Sequence, residues 1–98
     1  MEFSSRIAGK DAIVAINPDR IEWSGPGVRV ETPARTIIAA IPIRGVQRVA
    51  TRPLGFGRTM MTIATAETVI ELHMPNYQAE EAKDLLLHLR HQLVGSVA

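Results

Sequence analysis

The chain contains no cysteine. Disulfide staples and thiol chemistry are therefore excluded, and the composition fits a reducing compartment. Aromatic residues are scarce, with Phe3, Trp23, Phe56 and Tyr77 making up the whole set. A core must then be assembled from Ile, Leu, Val, Met and Ala. No apolar run approaches the roughly 20 residues that a membrane-spanning helix needs. The longest candidate, residues 36–43, is short and contains Pro42. Met1-Glu2-Phe3-Ser4-Ser5-Arg6 lacks the basic-then-apolar layout of a secretory signal, so a cytoplasmic protein is expected.

Acidic residues are absent from one long stretch. Between Thr32 and Ala66 there is no Asp or Glu, while Arg35, Arg44, Arg48, Arg52 and Arg58 all fall there. All ten acids lie outside it, although the whole chain is nearly neutral at +1. A segment of this kind can meet phosphates, an acidic protein surface, or the chain's own acidic flanks. Arg44, Arg48 and Arg52 recur every four residues, and in an extended segment that spacing keeps side chains on one face. The row suits anionic lipid or an acidic partner. It lacks the interleaved aromatics that stack nucleic-acid bases, which disfavours RNA and DNA. The alternative is a solvated face paired with Glu67 and Glu71.

The sequences that enzymes and metal sites require are also missing. Ser4, Ser5, Ser24 and Ser96 occupy no nucleophile-elbow context. Glu80 and Glu81 are paired carboxylates, but at a helix start, where the helix dipole accounts for them. Asp84, His88 and His91 share a helix face without a metal-ligand spacing. Gly55-Phe56-Gly57-Arg58 is followed by no helix whose N-terminus could face a phosphate, so a hairpin turn is expected there. The expectation is a protein without catalytic site, metal or cofactor, and without a small-molecule substrate.

What is present reads as one domain over residues 1–98, with strands from about 11 to 74 and one C-terminal helix. Residues 12–17 are short, apolar and β-branched, which predicts a mostly buried strand. Asn17-Pro18-Asp19 is a turn, and residues 20–24 alternate, with Ile21 and Trp23 on one face. Gly25-Pro26-Gly27 breaks the chain. Brief strands are expected at 28–31 and 35–41, followed by a turn or a single helical turn from Ile41 to Val46. Residues 47–52 resume as a strand, and 53–58 form a loop that exposes Leu54 and Phe56. Residues 59–65 and 68–74 are a hairpin turning at Ala66-Glu67, with Ile70, Leu72 and Met74 on one face. From 76 to 94, Ala79, Ala82, Leu85, Leu86, Leu89 and Leu93 recur at three- and four-residue spacing, the pattern of an amphipathic helix. Asn76 reads as its N-cap and Gly95 as its stop.

Four stretches carry a resemblance. They are Ser4-Ser5-Arg6-Ile7-Ala8-Gly9-Lys10 before Asn17-Pro18-Asp19-Arg20-Ile21-Glu22-Trp23, the step Ile41-Pro42-Ile43-Arg44-Gly45-Val46-Gln47-Arg48-Val49, and the helix opening Ala79-Glu80-Glu81-Ala82-Lys83. Together they resemble a small bacterial or phage pleckstrin-homology-like (PH-like) domain of the actinobacterial type. The resemblance implies a mainly β fold: a bent antiparallel β-barrel or sandwich of six to seven strands, capped by one C-terminal α-helix. It implies a non-enzymatic interaction module, since such domains mostly bind proteins or phospholipid head groups or assemble with themselves. The expectation for this chain is binding to protein, above all to copies of itself, through sheet edge, helix face and the 52–58 loop. A first alternative is a peripheral binder of anionic phospholipid at the membrane surface. A second is a phage-encoded protein that perturbs its host by binding a host protein. The first hairpin carries Asn17-Pro18-Asp19-Arg20 in place of the family's Lys-x-Lys/Arg lipid signature. The candidate partner- or anion-binding residues are Arg44, Arg48, Arg52, Leu54, Phe56 and Arg58.

Overall fold

The computed structural model describes residues 1–95. Its first strand, β1 (Glu2–Ile7), begins earlier than the sequence reading placed it. Phe3, Ser5 and Ile7 alternate inward, and a polar Ser5 in the middle disguises the pattern. Ala8 and Gly9, with φ of 51° and 78°, make a two-residue turn into β2 (Lys10–Ile16). Positive φ at both central residues matches the right-handed twist of the strands on either side. The strand β2 is amphipathic rather than mostly buried. Ala12, Val14 and Ile16 point inward, and Ile13 remains 44% exposed.

The turn at Asn17-Pro18-Asp19 closes with Asn17 N–H donating to Arg20 O at 2.8 Å and leads into β3 (Arg20–Ser24). Ile21 and Trp23 are buried on its inner face. The stretch read as one strand over 35–41 is two, because Ala39 interrupts it. Strand β4 (Val30–Glu31) pairs with β5 (Ile37–Ile38) as a separate ribbon, while β6 (Ala40–Pro42) joins the main sheet beside β3. A single 3₁₀ turn, Ile43–Gly45, follows Pro42 as expected and buries Ile43.

Strand β7 (Val46–Gly55) then runs for ten residues, through what the sequence suggested was a loop. It turns at Phe56-Gly57 into β8 (Arg58–Thr65), which pairs with β9 (Val69–Pro75). The expected inner face of Ile70, Leu72 and Met74 is buried. The helix α1 (Asn76–Gly95) places Ala79, Ala82 and Leu86 in the core and leaves Leu85, Leu89 and Leu93 half-buried against it. It packs on β7, β8, β9 and the 3₁₀ turn. Gly95 is the last described residue of the helix, and Glu80 and Glu81 fall beyond its first turn. Among the described residues, no helix is long and apolar enough to cross a membrane.

Seven of the nine described strands form one antiparallel sheet in the order β6-β3-β2-β1-β9-β8-β7. Strand β1 joins the halves: Arg6 pairs with His73 of β9, and the buried Ser5 hydroxyl donates to His73 O at 2.8 Å. The fold is mainly β with one C-terminal helix, but it is not a closed barrel. Strand β6 has three residues, ends in Pro42 with no N–H to give, and the 3₁₀ turn then diverts the chain into β7. The two edges, β6 and β7, do not pair.

One polar cluster braces the β2–β3 turn. The Glu22 carboxylate accepts from Arg20 Nε at 3.1 Å and from Asn17 Nδ2 at 3.0 Å. The Arg20 hydrogen bond, then the Asn17 hydrogen bond and the Arg20 charge, hold the Glu22 carboxyl below its ordinary value. A carboxyl lowered in the folded state stabilises it above the unfolded pKa and loses that effect as pH falls through the folded value. Chemical denaturation across acidic pH should therefore show the stability gap between wild type and Glu22→Gln narrowing as pH drops. A gap that is constant with pH would contradict the pairing.

Candidate functional site

The inward side of the sheet is filled by the core, so the outer face and the edges carry what can be bound. The outer face of β7 follows from its register with β8. Val49 faces Ile63 and Thr51 faces Met61, both on the core side; Arg48, Ala50, Arg52 and Leu54 therefore point outward. Arg48 and Arg52 share a face, as the four-residue spacing predicted. Arg44 does not join them. It sits in the 3₁₀ turn, and a register shift between Val46 and Arg48 separates that turn from the regular part of β7. A row of three thus becomes a pair, because the four-residue rule holds only within unbroken extended backbone.

Arg48 and Arg52 are exposed, and among the described residues neither is in an ion pair. The alternative of a face paired with Glu67 and Glu71 is not what the chain adopts. Arg52 instead lays its guanidinium against Met60, with Nη2 at 3.9 Å from the sulfur. Met60 is outward-facing yet only 9% exposed.

The backbone of β7 is the larger feature. In an antiparallel ladder, residues alternate between bonding one neighbouring strand and the other. Thr65 N–H donates to Thr68 O at 2.8 Å, so the odd-numbered residues of β8 bond toward β9. The even-numbered ones, Met60 and Thr62, then bond Arg52 and Ala50 of β7. The backbone groups of Val49 and Thr51 are left pointing away from the sheet. Pro53 has the same parity, in the one strand setting where a missing N–H is tolerated. Among the described residues, no strand pairs with this edge.

At the far end of β7, Leu54 is 40% exposed and Phe56 is 105% exposed at the hairpin tip. Phe56 and Gly57 have φ of 53° and 73°, a turn for which Asn-Gly or Gly-Gly is the ordinary sequence. A bulky aromatic in the left-handed region is strained, and its side chain gains no burial in return. Arg58 follows at the start of β8. The sequence predicts Asn76 as a helix N-cap. Its side chain turns instead to the hairpin, where its amide nitrogen reaches Gly57 O at 3.1 Å, Arg58 O at 3.2 Å and the Thr59 hydroxyl. Its backbone N–H donates to Gly57 O at 2.9 Å. The tip is thereby held to the start of α1, which brings a residue the sequence reading passed over, Tyr77, 67% exposed. Tyr77 and Arg58 line one open cleft with Arg6. The signal for Tyr77 lay in its position one residue after a polar helix start, off the apolar stripe.

The remaining candidates are dispersed. Ser5 is buried and spends its hydroxyl on His73 O, Ser4 and Ser24 are exposed, and Ser96 lies outside the described residues. Among the described residues, no group of three His, Cys, Asp or Glu side chains is arranged to hold a metal ion. No protein-family model matches the chain, and no curated protein matches it either.

Because Phe56 stands in a conformation that suits Asn better, Phe56→Asn should raise stability by about 0.5–1 kcal/mol. Thermal unfolding checks this; a loss of stability would mean that the ring packs on the protein after all.

Proposed function

We propose that the chain is a non-enzymatic interaction module of PH-like architecture whose working surface is the free edge of β7. The observation that carries the reading is the run of outward backbone groups at Val49 and Thr51, on a ten-residue strand with no neighbour on that side among the described residues. An unpaired edge accepts an extended segment of another chain through main-chain hydrogen bonds, with alternate side chains setting specificity. The strand order supports a PH-like reading: an N-terminal meander, a second meander, and a C-terminal helix across the inner face. Partners are proteins. A second copy of the chain carries such an edge itself, and a sedimentation series with only monomer at high concentration would remove self-assembly while leaving the edge reading in place.

Thr51→Pro separates the edge from the fold. It deletes an N–H that points outward and none that bonds β8. Proteins retained by the immobilised wild type should be lost by Thr51→Pro, with a thermal midpoint close to wild type. Retention of the same partners by the variant would overturn the reading.

A second reading rests on the tip. Leu54 and Phe56, flanked by Arg52 and Arg58 with no acid between Thr32 and Ala66, make an apolar point with a cationic collar. Such a point suits the boundary of an anionic membrane, where aromatics sit at headgroup depth and arginines meet phosphates. In flotation with vesicles of phosphatidylserine and phosphatidylcholine, wild type should float and Phe56→Asn should not. Equal flotation of the two, or none by wild type, removes this reading.

A further inference from the structure

The charges beside the free edge select what can pair with it. This inference rests on β7 being an open edge and concerns the occupant. Residues 48–53 keep one register, bounded by shifts between Val46 and Arg48 and between Pro53 and Gly55, and Pro53 has no N–H, so 48–52 is the part that can pair fully. Within it, the outward-bonding residues are Val49 and Thr51. Toward an added strand, Arg48, Ala50 and Arg52 would therefore occupy non-hydrogen-bonded positions. Those are the positions of closest cross-strand approach, about 4.5 Å between Cα atoms, where a charge acts most strongly on the residue opposite.

A second copy fares badly in that geometry. Antiparallel pairing of two β7 strands centred on Ala50 gives the fullest overlap of the regular segment, and it sets Arg48 of each copy opposite Arg52 of the other. Like charges directly opposite one another are destabilising. Sliding the copies toward the tip brings Pro53, which has no N–H, into the ladder. The charges that discourage self-pairing are the ones that would recruit a strand of opposite sign.

The other face of the added strand meets different chemistry. Thr51 and Pro53 border a cleft of about 600 Å³ against α1, whose wall carries Glu80, Lys83 and Asp84. Arg52 lines it as well, so two acids stand against two bases and this side offers a charged residue no net attraction. A fitting segment is then two-faced, acidic only toward the outer side of the sheet.

We propose that β7 receives an extended acidic protein segment, with two carboxylates four residues apart opposite Arg48 and Arg52 and uncharged residues opposite Val49 and Thr51. The probe is the end-capped peptide Thr-Glu-Val-Thr-Val-Glu-Thr, with a control in which both Glu are Lys. Each is titrated into the isotope-labelled protein while amide shifts and hydrogen exchange are followed by NMR. The acidic peptide should bind about tenfold more tightly than the lysine peptide and newly protect the amides of Val49 and Thr51. Arg48→Glu combined with Arg52→Glu should invert that preference; both residues are exposed, and the peptide swap on wild type tests the charge independently. Equal protection by both peptides would overturn the acidic occupant and keep the edge. Shifts away from β7, or no binding by either peptide, would overturn edge and occupant together. Protection of the same amides on concentrating the protein alone would assign the edge to a second copy, against this proposal.

Discussion

Ser5 and His73 meet across 68 residues of chain, and the placement of every strand depends on that junction. Strand β1 pairs with β2 through a local turn and with β9 through Arg6 and His73. It thereby fuses an N-terminal meander and a C-terminal meander into one sheet. With β1 in the middle, the ends of the sheet are the last-added strand of each half, β6 and β7. They follow one another in the chain, yet the 3₁₀ turn between them, anchored by buried Ile43, sends them apart.

The two edges are treated differently. Strand β6 has three residues and ends in proline, so it offers little to a pairing chain. Strand β7 is long, but arginines, Pro53 and two register shifts confine its regular part to 48–52. Those are the devices that keep a native edge from indiscriminate pairing, and here they leave a short window with a defined charge. The strained Phe56 turn, tied to α1 through Asn76, fixes the direction in which that window ends.

Much of this order was legible in the residues. The helix showed in its leucine and alanine spacing, the β8–β9 hairpin in alternation around Ala66-Glu67, and the 3₁₀ turn in Pro42. Three things were not. Strand β1 was hidden because its central inward residue is Ser5, whose burial depends on a carbonyl 68 positions away. The extent of β7 was hidden because Pro53 and Gly55 are ordinary loop residues everywhere except on an edge. The arginine row lost Arg44 because a register shift is a property of the pairing partner, not of the spacing. For the candidate site, the acid-free stretch drew attention to the segment that forms β7 and its tip. It could not show which backbone groups are free, because that depends on where β8 lies.

An open edge at β7 requires a particular set of its amides to be bonded already in the free protein. Hydrogen exchange at single-residue resolution, on dilute protein without partner, reads this directly. The prediction is an alternation: slow exchange at Ala50 and Arg52, which bond β8, and fast exchange at Val49 and Thr51, which face outward. Slow exchange at all four, or slow exchange at Val49 and Thr51 with the other two fast, would contradict it, because β7 would then not be an open edge of this sheet.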